Sequence, residues 1–219
     1  MDGLIRFLRS HPGARRGLSV LSVLLLVGAV GLLGYPVFTN LQHDRLQDKL
    51  GTELASSRLQ QAYRDRKIGV GDALTRIKIP ALGVDTVVVE GTTMTALKAG
   101  AGHYAKTAMP CELGNMSIAG HRTTFGKPFA NIDQLKPGDL ITLETPVGRC
   151  DYEVEKAPSP YRSPASMQAA WVVAPNDMRV INQDPAKSEL TLTTCHPRGS
   201  AKERLIIRAR RVAGKAGSG

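Results

Sequence analysis

From Gly17 to Gln42 the chain carries no charged residue, and Leu18 to Phe38 is mostly Leu, Val, Gly and Ala. As a helix this run reaches about 39 Å, more than the ~30 Å of hydrocarbon in a bilayer. Inside lipid every backbone N–H and C=O must be bonded within its own segment, which leaves the run only the helix. Residues 1–16 hold Arg6, Arg9, Arg15 and Arg16 against Asp2 alone. A positive flank stays on the cytoplasmic side, so the N-terminus is expected inside and everything after the span outside. The competing reading is a cleaved signal peptide, whose cleavage site Gly28-Ala29-Val30-Gly31 would supply. Such peptides have a shorter apolar core, so a retained signal anchor over 17–42 is preferred.

Beyond the span there is room for one sizeable domain, since 42% of the 219 residues are hydrophobic. Residues 43–73 read as an extracytoplasmic stalk or linker. Leu46, Leu50, Leu54, Leu59 and Tyr63 make only a narrow stripe among Asp, Lys, Gln and Arg, as in a polar spacer or a weakly pairing helix. Lys67 to Asp72, with Gly69 and Gly71, reads as a hinge. From residue 74 to 212 short alternating runs separated by turn residues predict seven or eight strands: 74–80, 84–90, 115–121, 140–145, 149–156, 188–195 and 204–210, with 171–174 and 178–181 together as one or two of them. A short helix is expected over 92–98, and a loop from Pro158 to Pro164. Many short strands with brief connections argue for an all-β sandwich or barrel. The Gly/Ala-rich tail 213–219 reads as disordered. The net charge is +10, but the basic residues are scattered and aromatics make up only 5%. That pattern suits attraction to an anionic membrane and wall and predicts no nucleic-acid partner.

The chemistry concentrates near the C-terminus. In 188–195 Leu190 and Leu192 alternate with Glu189, Thr191 and Thr193. After the turn His196-Pro197-Arg198-Gly199-Ser200, Leu205, Ile207 and Ala209 alternate with Arg204, Arg208 and Arg210. With the leucines and Ile207 facing the core, Cys195 and Arg204 share the opposite face. A cysteine nucleophile works as the thiolate and needs a base or cationic neighbours. Attack on a carbonyl needs donors for the developing oxyanion, a task for which the guanidinium fork is better made than an ammonium. Arg208 shares the parity of Arg204 but lies about 13 Å farther along the strand. Arg198, in the turn, is the more serious rival. Of the five histidines, His11 and His43 flank the span, His103 falls in a probable loop, and His196 alternates away from Cys195. His121 shares the outward parity of Cys195, because Met116 and Ile118 take the core parity.

Thr191-Leu192-Thr193-Thr194-Cys195 resembles the TLxTC signature of sortases, the cysteine transpeptidases of Gram-positive cell surfaces. Ala119-Gly120-His121-Arg122, and Arg204 nine residues after Cys195, resemble the family's histidine and arginine motifs. The similarity covers roughly residues 74 to 212. Gly102-His103-Tyr104, Gly114-Asn115, Gly120-His121-Arg122-Thr123-Thr124, Leu135-Lys136-Pro137-Gly138-Asp139 and Cys195-His196-Pro197 are most similar to the class E (actinobacterial housekeeping) branch. Ala105-Lys106 departs from that branch. The resemblance implies an eight-stranded sortase-type β-barrel with short helices behind a transmembrane helix.

It also implies the residue roles: Cys195 as nucleophile, His121 as general acid and base, Arg204 on the oxyanion and substrate backbone, and Thr194 in support of the oxyanion. The implied reaction cleaves an LAxTG- or LPxTG-like sorting signal between Thr and Gly. The acyl group then passes to an amine of a lipid II-like cell-wall precursor. The implied partners are surface proteins with C-terminal sorting signals, the precursor amine and the membrane. No cofactor is called for, and neither a CxxC pair nor an Asp/Asn-rich loop marks a metal site. A pilus-polymerising sortase and a membrane-anchored cysteine hydrolase are the alternatives. Cys111 and Cys150 depart from the family pattern. An extracytoplasmic location permits their pairing, but sequence leaves it open.

Overall fold

The structure, a computed structural model, describes residues 11–158, 163 and 167–212. The first ten residues, most of the expected loop 158–164 and the tail from Ala213 lie outside the described residues. The chain divides into two units, Met1–Leu41 and Gln42–Gly219.

The first unit is the leading part of helix α1 (Pro12–Leu54). Pro12 opens it at a position where the missing N–H and fixed φ cost nothing. The apolar window of α1 has a mean hydropathy of 2.3 and is 0% buried, so the helix is long and apolar enough to cross a membrane. Leu24, Leu25 and Leu26 are each more than 60% exposed, an arrangement that suits lipid and not water.

In the second unit, strands β1 (Ala73–Ile79), β2 (Val84–Glu90), β3 (Ala101–His103), β4 (Gly114–Ala119), β5 (Leu140–Thr145), β6 (Gly148–Val154), β8 (Ser188–His196) and β9 (Glu203–Val212) close in the order β6-β5-β1-β2-β3-β4-β8-β9. The pairing of β6 with β9 completes the ring, so the eight-stranded barrel is present. A ninth strand, β7 (Trp171–Val173), hangs outside the ring on the edge of β9 at Arg204–Ile206, while β6 takes Ala209–Val212 farther along. The pairs β2–β3 and β4–β8 are parallel; the others are antiparallel. The interior is filled by Ile77, Ile79, Val88, Met116, Ile118, Leu143, Tyr152, Leu190, Leu192, Leu205 and Ile207, all buried. Met178–Ile181, expected as a strand, is instead a 3₁₀ helix capped by the Asp177 carboxylate. Its Val180 closes a small outer cluster with Trp171, Val173 and Ile206.

Residues 43–73 are not a free spacer. Leu50 in α1 and Leu59 in α2 (Ser57–Arg64) pack with Val87 and Val89 on the outer face of β2, and Tyr63 joins the barrel core. The Gln47 side chain accepts from Val87 N (2.7 Å) and Thr86 Oγ1 (2.9 Å) and donates to Ala99 O (2.7 Å) and Val87 O (3.2 Å). The cause lies in β2: Val87-Val88-Val89 is continuously apolar, and a strand apolar on both faces must be covered on both. The expected hinge is likewise tied down, with Gly69 N donating to the Asp72 carboxylate and Gly71 N to Glu90 O. A chain starting at Gln42 is therefore expected to be soluble and to melt cooperatively. One starting at Ser56, without Gln47 and Leu50, should melt lower by the equivalent of at least about 2 kcal/mol. Equal melting temperatures in the two truncations would return residues 43–55 to the role of spacer.

Candidate active site

The site is set by register. β4 runs parallel to β8 from Gly114↔Ser188 to Ala119↔Thr193, and Gly120 N continues the ladder by donating to Thr193 O at 3.0 Å. His121 follows two residues beyond the paired register, between Gly120, whose carbonyl accepts from the Thr194 hydroxyl, and Arg122, which donates to Cys195 O. Across the other edge of β8, Cys195 is paired with Arg204 of β9. Cysteine and arginine are thus cross-strand partners, and the loop that carries the histidine is bonded to the same end of β8. Cys195 is a free, half-buried thiol at the end of β8. His121 lies just beyond β4 and not on it, because the strand ends at Ala119 and Gly120 turns the chain.

Gly120 is needed there, because a Cβ at this position would run into the Phe129 ring. Phe129 N in turn donates to His121 O at 3.2 Å, closing the 121–129 loop on itself. Within the loop the rings of His121 and Phe125 lie 5.2 Å apart, tilted by 45°. His121 Nε2 is buried and has no hydrogen-bond partner among the described residues. Burial first, and the nearby His43 second, hold the His121 pKa below the ordinary histidine value. The imidazole is therefore neutral at neutral pH and has a nitrogen available.

Thr194 faces away from Cys195, and its hydroxyl donates to Gly120 O at 2.7 Å. That bond ties the cysteine strand to the turn that aims His121, so the hydroxyl is committed to positioning and only the backbone of Thr194 is left for an oxyanion. Arg204 anchors Nη1 on Ala201 O (3.0 Å) and Glu203 O (3.1 Å). The rest of its fork carries no bond among the described residues and is open to a substrate. Arg198, its rival, is engaged with Asn131 Oδ1 at 2.7 Å and the Asp133 carboxylate at 3.7 Å. Arg208 is used elsewhere, donating to Val180 O at 2.7 Å beside the Trp171 ring.

Arg122 does not stand out in the sequence beyond its place in a motif. Its guanidinium is buried, donates through Nη1 to Cys195 O (3.2 Å) and His196 Nδ1 (3.0 Å), and pairs through Nη2 with Asp133 at 2.8 Å. A buried cation thereby stands behind the backbone of the nucleophile. His196 does alternate away from Cys195, as expected. His103 is not in a loop: it ends β3, 1% exposed, bonded to the Glu90 carboxylate at 2.8 Å and to Thr107 Oγ1 and Ala108 O. Cys111 and Cys150 are joined in a disulfide, with Cα atoms 5.6 Å apart.

Residues 77–212 match the sortase domain family. The chain is 36% identical over 172 residues to Sortase SrtE1 of Streptomyces coelicolor, covering 70% of this chain and 46% of that protein. It is 32% identical over 145 residues to Sortase D of Bacillus subtilis, covering 65% of each. It therefore spans about half the length of the first relative and just under two thirds of the second. Among solved structures, the Clostridium perfringens Sortase D5 transpeptidase aligns with a TM-score of 0.64 at 32% identity, over 78% of this chain and 98% of that one. A family match over more than half of the sequence, on a closed eight-stranded barrel, makes this chain a member of the sortase family.

Proposed function

We propose that this chain is a membrane-anchored cysteine transpeptidase that exchanges one amide for another at a C-terminal sorting signal of LAxTG or LPxTG type. The observation that carries the reading is the cross-strand pair Cys195–Arg204, with the loop of His121 bonded to the same end of β8 through Gly120 and Arg122. The Cys195 thiolate, its proton passed to His121, attacks the carbonyl carbon of the Thr–Gly bond, and the free donors of Arg204 receive the oxyanion. As the C–N bond breaks, His121 delivers that proton to the departing glycine amine and a thioester remains. The now neutral imidazole takes a proton from an incoming amine, which attacks the thioester and forms the new amide. The released thiolate recovers the proton from His121. No net oxidation occurs, and every proton is accounted for among Cys195, His121 and the two amines.

The acyl acceptor under this reading is an amine of a cell-wall precursor, lipid II-like, and the acyl donors are surface proteins. The apolar part of α1 supports a single membrane pass with the N-terminus inside. The Cys111–Cys150 disulfide supports a barrel outside the reducing cytosol.

The test is mass spectrometry of products from LAxTG and LPxTG peptides with and without an oligoglycine or diaminopimelate-type amine. An amine-linked acyl product is expected. Cleavage giving only the free acid, whatever amine is supplied, would make the protein a hydrolase. In the same assay Arg204→Lys, lacking the planar fork, should lose at least about 10-fold in kcat/KM. Arg198→Ala should retain most activity. Reversal of those two outcomes would move the oxyanion role to the turn.

A further inference from the structure

The residue just after the uncharged run, His43, is 7% exposed in the second unit. Sequence position alone sets it aside as a flank of the span. A Cβ built on Gly126 would strike three atoms of its ring, so the Gly126 backbone rests directly on the imidazole. Gly126 has φ +71°, a conformation that glycine adopts without strain. Phe125, the residue before it, stacks on His121. We propose that His43 is a positioning residue for His121: its imidazole is the floor on which Gly126 and Phe125 seat the ring of the active-site histidine. The inference rests on the role given to His121 above.

Three further observations support it. Gln47, one turn along α1, clamps this part of the helix to β2 and to α3 (Met94–Ala99), so the floor is itself held. His121 Nε2 is buried without a partner among the described residues, and His43 is buried with a hydrogen bond to the Lys98 backbone. An imidazole buried there, where an apolar ring would fill the same space, calls for an explanation. Burial lowers the pKa of His43 as it does that of His121. The groups facing His43 are Asp44 on its own helix and the Lys98 backbone of α3, whose ammonium lies 5.9 Å over the Phe125 ring. Asp48, Arg76, Asp85 and Lys127 line the adjoining groove of about 760 Å³.

The experiment compares wild type, His43→Gln, His43→Ala and His121→Ala as full-length protein in detergent, with kcat and KM for a sorting peptide across pH beside melting curves. His43→Gln keeps a polar floor and should hold kcat at its optimum within about threefold of wild type. His43→Ala removes the floor and should lower kcat by about 10-fold or more while KM stays within about twofold. Gly126→Ala should lose much less activity in the His43→Ala background than in wild type, since the ring it would strike is gone. Parental kcat in His43→Ala, or a loss that vanishes when it is assayed well below its melting transition, would overturn the proposal. Normal activity in His121→Ala would instead overturn the functional reading beneath it.

Discussion

Cys195→Ala is expected to abolish turnover of sorting peptides and to remove any acyl-enzyme mass, because no other side chain in the site can form the thioester. His121→Ala leaves the thiol but removes both proton transfers, so a residue of slow cleavage should survive, lower by about 10²- to 10⁴-fold. Cys195 is half-buried at a strand end and His121 sits in a loop. Neither belongs to the barrel core, and both variants should melt close to the parent. His103→Ala forms the contrast. It leaves the Glu90 carboxylate buried without its 2.8 Å partner, so its damage should appear as lost stability, with activity returning at temperatures where the variant is folded. Purified variants assayed for peptide cleavage beside thermal melts separate the two kinds of loss. Full activity in Cys195→Ala would end the transpeptidase reading outright.

Of the candidate site, the pairing of Cys195 with Arg204 was legible in the sequence because its geometry is strand geometry. Period-2 alternation in 188–195 and 204–210 places Cys195 and Arg204 on one face, and the pairing Cys195↔Arg204 is what a short turn between adjacent antiparallel strands produces. His121 lies past the end of β4, where parity no longer applies, and the bonds of Gly120 N to Thr193 O and of Arg122 to Cys195 O are what hold its loop at that end of β8. What parity could not show is where a committed side chain spends its donors. The Thr194 hydroxyl reaches back to Gly120 O, and Arg122 reaches the Cys195 carbonyl, through contacts between segments more than seventy residues apart.

The packed stalk was missed for a different reason. The Leu50–Leu59–Tyr63 stripe is too narrow to read as a core helix by itself, and its meaning lies in β2. Val87-Val88-Val89 needed cover on both faces, and α1 and α2 supply it on the outer one. A demand made by one element predicted the partner better than the partner's own periodicity. The same omission hid His43, whose placement is settled once α1 is docked along β2. Reading Met178–Ile181 as a strand failed because its apolar residues serve an outer cluster, where a single 3₁₀ turn over Trp171 and Ile206 buries as much as a strand would.

The disulfide carries the largest expected effect on stability. Cys111 lies in the connection between β3 and β4, Cys150 lies in β6, and their sequence separation is 39. Closing a loop of that size removes about 4 kcal/mol of unfolded-state entropy at 25 °C. In a domain of this size that corresponds to roughly 8–16 °C in Tm. Part of the native geometry persists without the bond, since Arg211 Nη1 donates to Cys111 O at 2.6 Å and Cys111 N donates to the Tyr152 hydroxyl at 3.3 Å. Arg211, which makes that contact, lies seven residues along β9 from Arg204, about 23 Å at strand rise. The Cys111→Ala/Cys150→Ala double variant should therefore melt about 8–16 °C lower yet cleave peptide at the parental rate at 20 °C, with Cys195 as its only remaining thiol. Using the variant in place of a reductant keeps the state of Cys195 out of the comparison. A Tm within 2 °C of the parent would show that the β3–β4 connection is held by its hydrogen bonds and not by the bridge. Loss of activity in a folded double variant would mean that the far end of β9 acts on the Cys195–Arg204 pair through the strand.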